Sequence, residues 1–99
     1  MADQEGRIAV VTGGGRGLGR AIALGLAGAG ARVAVVARGR EQLQETATLG
    51  SAAGGEIIAV PCDVSDATAV ERMAADVETR LGRVSILVNA AGVFGPIAL

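Results

Sequence analysis

The residues with the clearest chemical potential lie between Arg7 and Gly30. An apolar run, Ile8-Ala9-Val10-Val11, enters Thr12-Gly13-Gly14-Gly15-Arg16-Gly17-Leu18-Gly19, and a small-residue helical pattern follows as far as Gly30. Gly13, Gly17 and Gly19 form the pattern G-x-x-x-G-x-G. Gly13 lets the chain leave a strand through backbone angles that a side chain forbids. Gly17 leaves no Cβ between the first helical turn and a phosphate, and Gly19 lets the helix lie close on a sheet. The first N–H groups of a helix have no internal partners and sit at the positive end of its dipole, so an anion is favoured there. An ordinary strand–helix turn is the competing reading. A strand before the glycines and a helix after them are the context that the dinucleotide fingerprint demands.

Such a turn needs strands beside it. Val33 to Val36, Ile57 to Val60 and Ile86 to Val88 read as three more strands, short and apolar, as expected when both sheet faces are covered. Between them lie helical patterns. The first carries Leu18, Ile22, Leu26 and Ala29 as its packing face, with Gly30 as a stop. Gly25 and Gly28 lower its helicity, and close approach to a neighbour is the expected compensation. The second helix opens at Gly39-Arg40-Glu41-Gln42, with Leu43 and Ala47 inward. The third is capped by Ser65 or Asp66, presents Val70, Met73, Ala74, Val77 and Leu81, and stops at Gly82. The order β-α-β-α-β-α-β with short connections predicts an α/β, Rossmann-type doubly wound parallel sheet, partial, with strand order 3-2-1-4. The strand order reverses beside the first strand, where such sheets bind nucleotides at strand carboxyl ends. The glycine turn, Arg38, Asp63 and Ala90 all fall at such ends.

Bulk composition narrows the function. With 99 residues the chain is one domain, residues 1–99, and short for a complete enzyme. Its net charge of -1 carries no basic excess, so no nucleic-acid partner is expected. No run is apolar and long enough to span a membrane. The polar, acidic N-terminus is not a secretory signal. Cys62 is the lone cysteine, which fits a reducing, cytoplasmic setting and a small buried hydrophobe better than a nucleophile. All nine basic residues are arginine, and Lys, His, Tyr and Trp are absent.

Thr12 to Gly19, Cys62-Asp63-Val64 and Ile86-Leu87-Val88-Asn89-Ala90-Ala91-Gly92 together resemble the classical short-chain dehydrogenases/reductases, in the flavour of the 3-oxoacyl-carrier-protein reductases. The resemblance covers the chain from about Gly6. It implies that Gly13, Gly15, Arg16, Gly17, Leu18 and Gly19 hold the pyrophosphate of a nicotinamide dinucleotide. It implies that Asp63 accepts a hydrogen bond from the adenine amino group, with Val64 beside it. It also implies that Asn89, Ala90 and Gly92 lie against the adenosine ribose and steady the sheet. Simpler roles stand beside two of these: Asp63 as a turn residue or helix cap, and Asn89 as a sheet residue alone. The chain departs from the family pattern in having Ala90 for a second Asn and Gly15 for a frequent Ser.

The second strand ends at Ala37, where an NAD-preferring site usually carries a carboxylate for the ribose 2′-hydroxyl. Arg38 follows, and Arg16 sits in the glycine turn. Guanidinium groups suit phosphate through paired, charge-assisted hydrogen bonds. In the family, basic residues at these positions resemble NADP-preferring members, so NADP(H) is expected over NAD(H). The competing reading is two solvated surface charges.

The family's chemistry uses a Ser, a Tyr-x-x-x-Lys pair and a further Asn. Without Tyr or Lys this chain cannot hold that apparatus, so no catalytic residue is expected here, and no metal cluster. The 99 residues read as the cofactor-binding, truncated part of an oxidoreductase, inactive alone. The alternative is a catalytically inactive fragment serving as a nucleotide-binding or assembly module. The uncovered edge of the fourth strand is expected to make the isolated chain marginally stable or self-associating, as a homo-oligomer or through that edge. The carbonyl or alcohol substrate would meet only a full-length parent.

Overall fold

The computed structural model describes residues 4–90. Four parallel strands alternate with three helices: β1 (Ile8–Thr12), α1 (Gly17–Gly28), β2 (Arg32–Ala37), α2 (Arg40–Ala52), β3 (Glu56–Pro61), α3 (Ala67–Arg80) and β4 (Ile86–Asn89). The sheet order is β3-β2-β1-β4, as the sequence predicts. Ala9 pairs with Val33 on one side and Ile86 on the other, so β1 is central.

Side chains alternate across a strand, and here they sort into two cores. Ala9, Val11, Val33, Val35 and Ile57 pack with Ala23 and Ala27 of α1 and Leu43 and Ala47 of α2. Ile8, Val10, Ala34, Val36 and Val60 pack with Met73 and Val77 of α3 and with Leu81 just after it. The molecule is thus a sheet between two helical layers. Arg32 ties its lower end together, pairing with Glu56 at 2.9 Å and donating to the Leu81 carbonyl at 2.7 Å.

Two expectations about α1 need correcting. Its fully buried residues are Gly19, Ala23 and Ala27; of the expected Leu18–Ile22–Leu26–Ala29 stripe, Ile22 and Leu26 pack against the core only half-buried, and Leu18 is 56% exposed. The helix is rotated so that Ala23 and Ala27 meet the sheet and Gly19 meets the glycine turn, with Ile22, Leu24 and Leu26 on the flanks of the contact. Gly25 and Gly28 make no close approach: a Cβ at either meets nothing within 4 Å among the described residues.

The helix ends follow local rules. Gly30, at φ +102°, donates to the Ala27 carbonyl while Ala31 donates to Leu26, a Schellman pair. Gly54 and Gly55 close α2 the same way onto Ser51 and Gly50. Asp66, rather than Ser65, caps α3, accepting from the N–H groups of Thr68 and Ala69.

Candidate functional site

A cleft of about 700 Å³ opens where the four strands end. Each strand supplies part of its wall: Gly13 and Gly15 after β1, Ala37 and Arg38 at the end of β2, Cys62 and Val64 after β3, and Ala90 after β4. Arg16, Gly17, Leu18 and Gly19 form its floor at the start of α1. Nine of the twelve residues expected in the site are therefore brought together here: Gly13, Gly15, Arg16, Gly17, Leu18, Gly19, Arg38, Val64 and Ala90.

The glycines act by different means. Gly13 takes φ +75° as the chain leaves β1, and its N–H donates to the Val36 carbonyl at 2.7 Å. Gly17 takes φ +59°, and a Cβ there would point into open space, leaving room for a ligand to approach the backbone. A Cβ on Gly19 would run into the carbonyl oxygen of Gly13, with Gly14 Cα only 3.1 Å away. Gly19 thus packs the helix against the turn itself, more than against the sheet. A Cβ on Gly15 would lie 3.1 Å from the Gln42 Cβ, so a serine here would crowd the first turn of α2.

The entry to α1 is open to an anion. Arg16 is the N-cap, extended at φ -162°, with no side-chain cap and no acidic residue in the first turn. By contrast α2 has Glu41 in its first turn and α3 has the Asp66 cap. Arg16 and Arg38 are both exposed at the cleft, and among the described residues neither takes part in an ion pair. Among the described residues, no carboxylate lines the cleft.

Two expected residues stand apart. Asp63 does not line the cleft, although its neighbours on both sides do. Its Oδ1 accepts from the N–H and the hydroxyl of Ser65, at 3.0 and 2.6 Å, which is the turn role. Those bonds, with a smaller pull from the Arg38 charge, hold its carboxyl below the ordinary value. Asn89 faces the α3 side, where its Oδ1 accepts from the Thr12 hydroxyl at 2.9 Å, tying β4 to β1. The next residue continues that tie through its backbone, Ala90 N–H to Thr12 carbonyl at 3.0 Å. Gly92 lies outside the described residues. Cys62 is buried, and burial together with Asp63 and Asp66 raises its thiol pKa, which suits a core residue.

Sequence reasoning missed Gln42, which lines the cleft, and the pair Arg20 and Thr46 behind the turn. Gln42 carries a faint signal, being four residues beyond Arg38 in a helix that starts at the cleft. Arg20 and Thr46 carry none, because their partnership spans 26 positions and appears only when α1 lies beside α2.

The model of the short chain dehydrogenase family matches residues 7–98. The chain is 40% identical over 92 residues to 2,3-dihydro-2,3-dihydroxybenzoate dehydrogenase of Bacillus subtilis, covering 93% of this chain and 35% of that protein. It is 47% identical over 87 residues to the rhamnolipids biosynthesis 3-oxoacyl-(acyl-carrier-protein) reductase of Pseudomonas aeruginosa, covering 88% and 34%. Among solved structures, a metagenomic short-chain oxidoreductase in complex with NADP superposes with a TM-score of 0.83 at 41% identity, over 86% of this chain and 38% of that one. The chain thus spans about a third of the length of the curated relatives it matches. Motifs, strand order and the cleft at the strand ends agree with that match: the chain belongs to the short-chain dehydrogenase family.

Proposed function

We propose that this chain is the NADP(H)-binding part of a short-chain oxidoreductase that moves hydride between nicotinamide and a carbonyl or hydroxyl substrate. The observation that carries the reading is a pair of exposed guanidinium groups, Arg16 and Arg38, at a cleft that no carboxylate lines among the described residues. The residue at the carboxyl end of β2 is Ala37, so nothing there repels a 2′-phosphate. The N–H groups at the start of α1 take the pyrophosphate, with Gly13, Gly15, Gly17, Leu18 and Gly19 giving it backbone access. Arg38 and Arg16 take the 2′-phosphate. Val64 and Ala90 border the adenosine, Asp63 has its Oδ2 for the adenine amino group, and Asn89 serves the site through the sheet. Gly92 belongs to the same turn by family position. The nicotinamide supplies the hydride when bound; this chain's residues bind and orient it. The relative whose structure contains NADP supports the cofactor class. Cytoplasmic residence accords with a single, buried cysteine.

Titration of NADPH and NADH into the chain tests the reading. NADPH binds more tightly, and Arg38→Ala weakens it by about one to two decades, since a charged hydrogen bond is worth about 1.5–3 kcal/mol. Tighter NADH binding, or an unchanged NADPH affinity in Arg38→Ala, refutes it.

The second reading is a catalytically inactive Rossmann module that works by assembly. It is favoured by β4, which pairs only with β1 among the described residues and leaves Leu87 70% exposed. The two readings separate on a single result: an assembly module shows no preference between the cofactors.

A further inference from the structure

The glycine turn has a mechanical problem. Side-chain-free peptides approach a ligand closely but rotate easily, because glycine adopts both signs of φ with little penalty. Gly14 and Gly15 are adjacent, buried and without side chains of their own to hold them. Something else must fix their peptide planes.

Thr46 and Arg20 do so. Thr46 is fully buried on α2. Its hydroxyl lies 2.9 Å from the Gly14 carbonyl and 2.9 Å from Arg20 Nε. A hydroxyl has one proton and two acceptor sites, so it accepts from Arg20 and donates to Gly14, the nearest of three carbonyls within reach, the others being Gln42 at 3.2 Å and Gly15 at 3.3 Å. Arg20 Nη2 donates to the Gly15 carbonyl at 2.7 Å and to the Gln42 carbonyl at 3.2 Å, and Nη1 pairs with Glu45 at 2.7 Å. Two successive carbonyls of the turn are thereby drawn toward α2. In a trans, planar peptide the N–H points opposite to the C=O. The N–H groups of Gly15 and Arg16 are therefore turned away from the Arg20–Thr46 pair, and both residues line the cleft.

The same bonds join two distant parts of the site. The turn follows β1, while α2 begins two residues after Arg38. Holding the turn onto α2 sets its spacing from the Arg38 corner.

We propose that Arg20 and Thr46 form a strut that locks the peptide orientation of the glycine turn, making both positioning residues for a ligand's pyrophosphate. The proposal deepens the reading above and rests on it for the identity of the ligand. Thr46→Val keeps the shape and removes the hydroxyl; Thr46→Ser restores it. Three measurements on the full chain are compared: NADPH affinity, adenosine 2′-monophosphate affinity, and amide hydrogen exchange of residues 14–17 without ligand. Thr46→Val is expected to weaken NADPH about tenfold, the scale of one hydrogen bond, and to weaken adenosine 2′-monophosphate, which lacks a pyrophosphate and touches the turn through Arg16 alone, by less. It speeds exchange in the turn while Val33 to Val36 keep their protection, and Thr46→Ser reverts both effects. Arg20→Met gives the same pattern and decides the matter should Thr46→Val fail to fold. Unchanged exchange in the turn overturns the strut, as does equal loss of both ligands together with protection of Val33 to Val36. Should the unaltered chain bind no NADPH, the cofactor reading falls, and the exchange pattern alone decides the strut.

Discussion

Substituting Gly19 by alanine adds one methyl where α1 meets the glycine turn. That methyl would overlap the Gly13 carbonyl oxygen and stand 2.6 Å from the Gly13 carbonyl carbon and 3.1 Å from Gly14 Cα. All three obstacles are backbone, so no side-chain rotation relieves them. The turn has little room to yield, because Gly13 is bonded to Val36 and Gly14 to Thr46. Overpacking of this kind costs about 1–3 kcal/mol, and rigid surroundings put the site at the upper end. Alanine's better helix propensity returns about 0.8–1 kcal/mol, leaving a net loss of about 2 kcal/mol. For a domain of this size that lowers Tm by roughly 8–16 °C. Gly25→Ala is the internal control on the same helix. Its Cβ meets nothing, so the propensity gain stands alone and Tm rises by several degrees, at about 1 kcal/mol. Thermal melts followed by circular dichroism read both variants. Gly19→Ala melting at or above the parent chain would refute the packing argument, whatever Gly25→Ala does.

Other consequences follow from the caps, charges and edges. Asp66→Ala removes the α3 cap and lowers stability by about 1 kcal/mol, whereas Asp66→Asn keeps most of it; equal melts for the two would deny the capping role. The Asp63 carboxyl is held below its ordinary 3.8, first by Ser65 and then by the Arg38 charge, and Glu56 is held below 4.5 by Arg32. A carboxyl depressed in the folded state stabilises above its unfolded value and loses that contribution as pH falls through its folded value. Acid melts should therefore weaken from the ordinary carboxylate range downward, less steeply in Ser65→Ala; identical pH profiles for the two would contradict it. Leu87 on β4 is 70% exposed on the α3 face of the sheet, so Leu87→Lys should shift sedimentation toward monomer. A parent chain that is already a stable monomer at micromolar concentration would remove the basis for that expectation.

The fold was legible because its signals are local. Each strand is a short apolar run and each helix has a stop, so alternation alone led to the 3-2-1-4 sheet that the structure contains. Helix rotation was not legible in the same way. The periodicity of α1 offered a leucine and isoleucine stripe, yet close backbone packing favoured Gly19, Ala23 and Ala27. Hydrophobic periodicity weighs burial of large side chains; it contains no term for how near two backbones can come. The cleft was legible wherever a residue belonged to a strand end, as with Gly13, Arg38, Val64 and Ala90. Asp63 and Asn89 sit at strand ends too, but their side chains meet Ser65 and Thr12, partners that position along the chain could not rank against a ligand.

By itself the sequence determined the alternation of elements, the glycine-rich turn and the absence of a carboxylate at the end of the second strand. These are properties of residue type and near spacing. Only the tertiary structure decided what keeps that turn in shape. Thr46 and Arg20 are unremarkable as letters, and they acquire a role when two helices on one face of the sheet bring a hydroxyl and a guanidinium to two bare carbonyls. Long-range hydrogen bonds between ordinary residues leave no periodic trace in a chain, because their geometry exists only after the sheet has set the helices side by side.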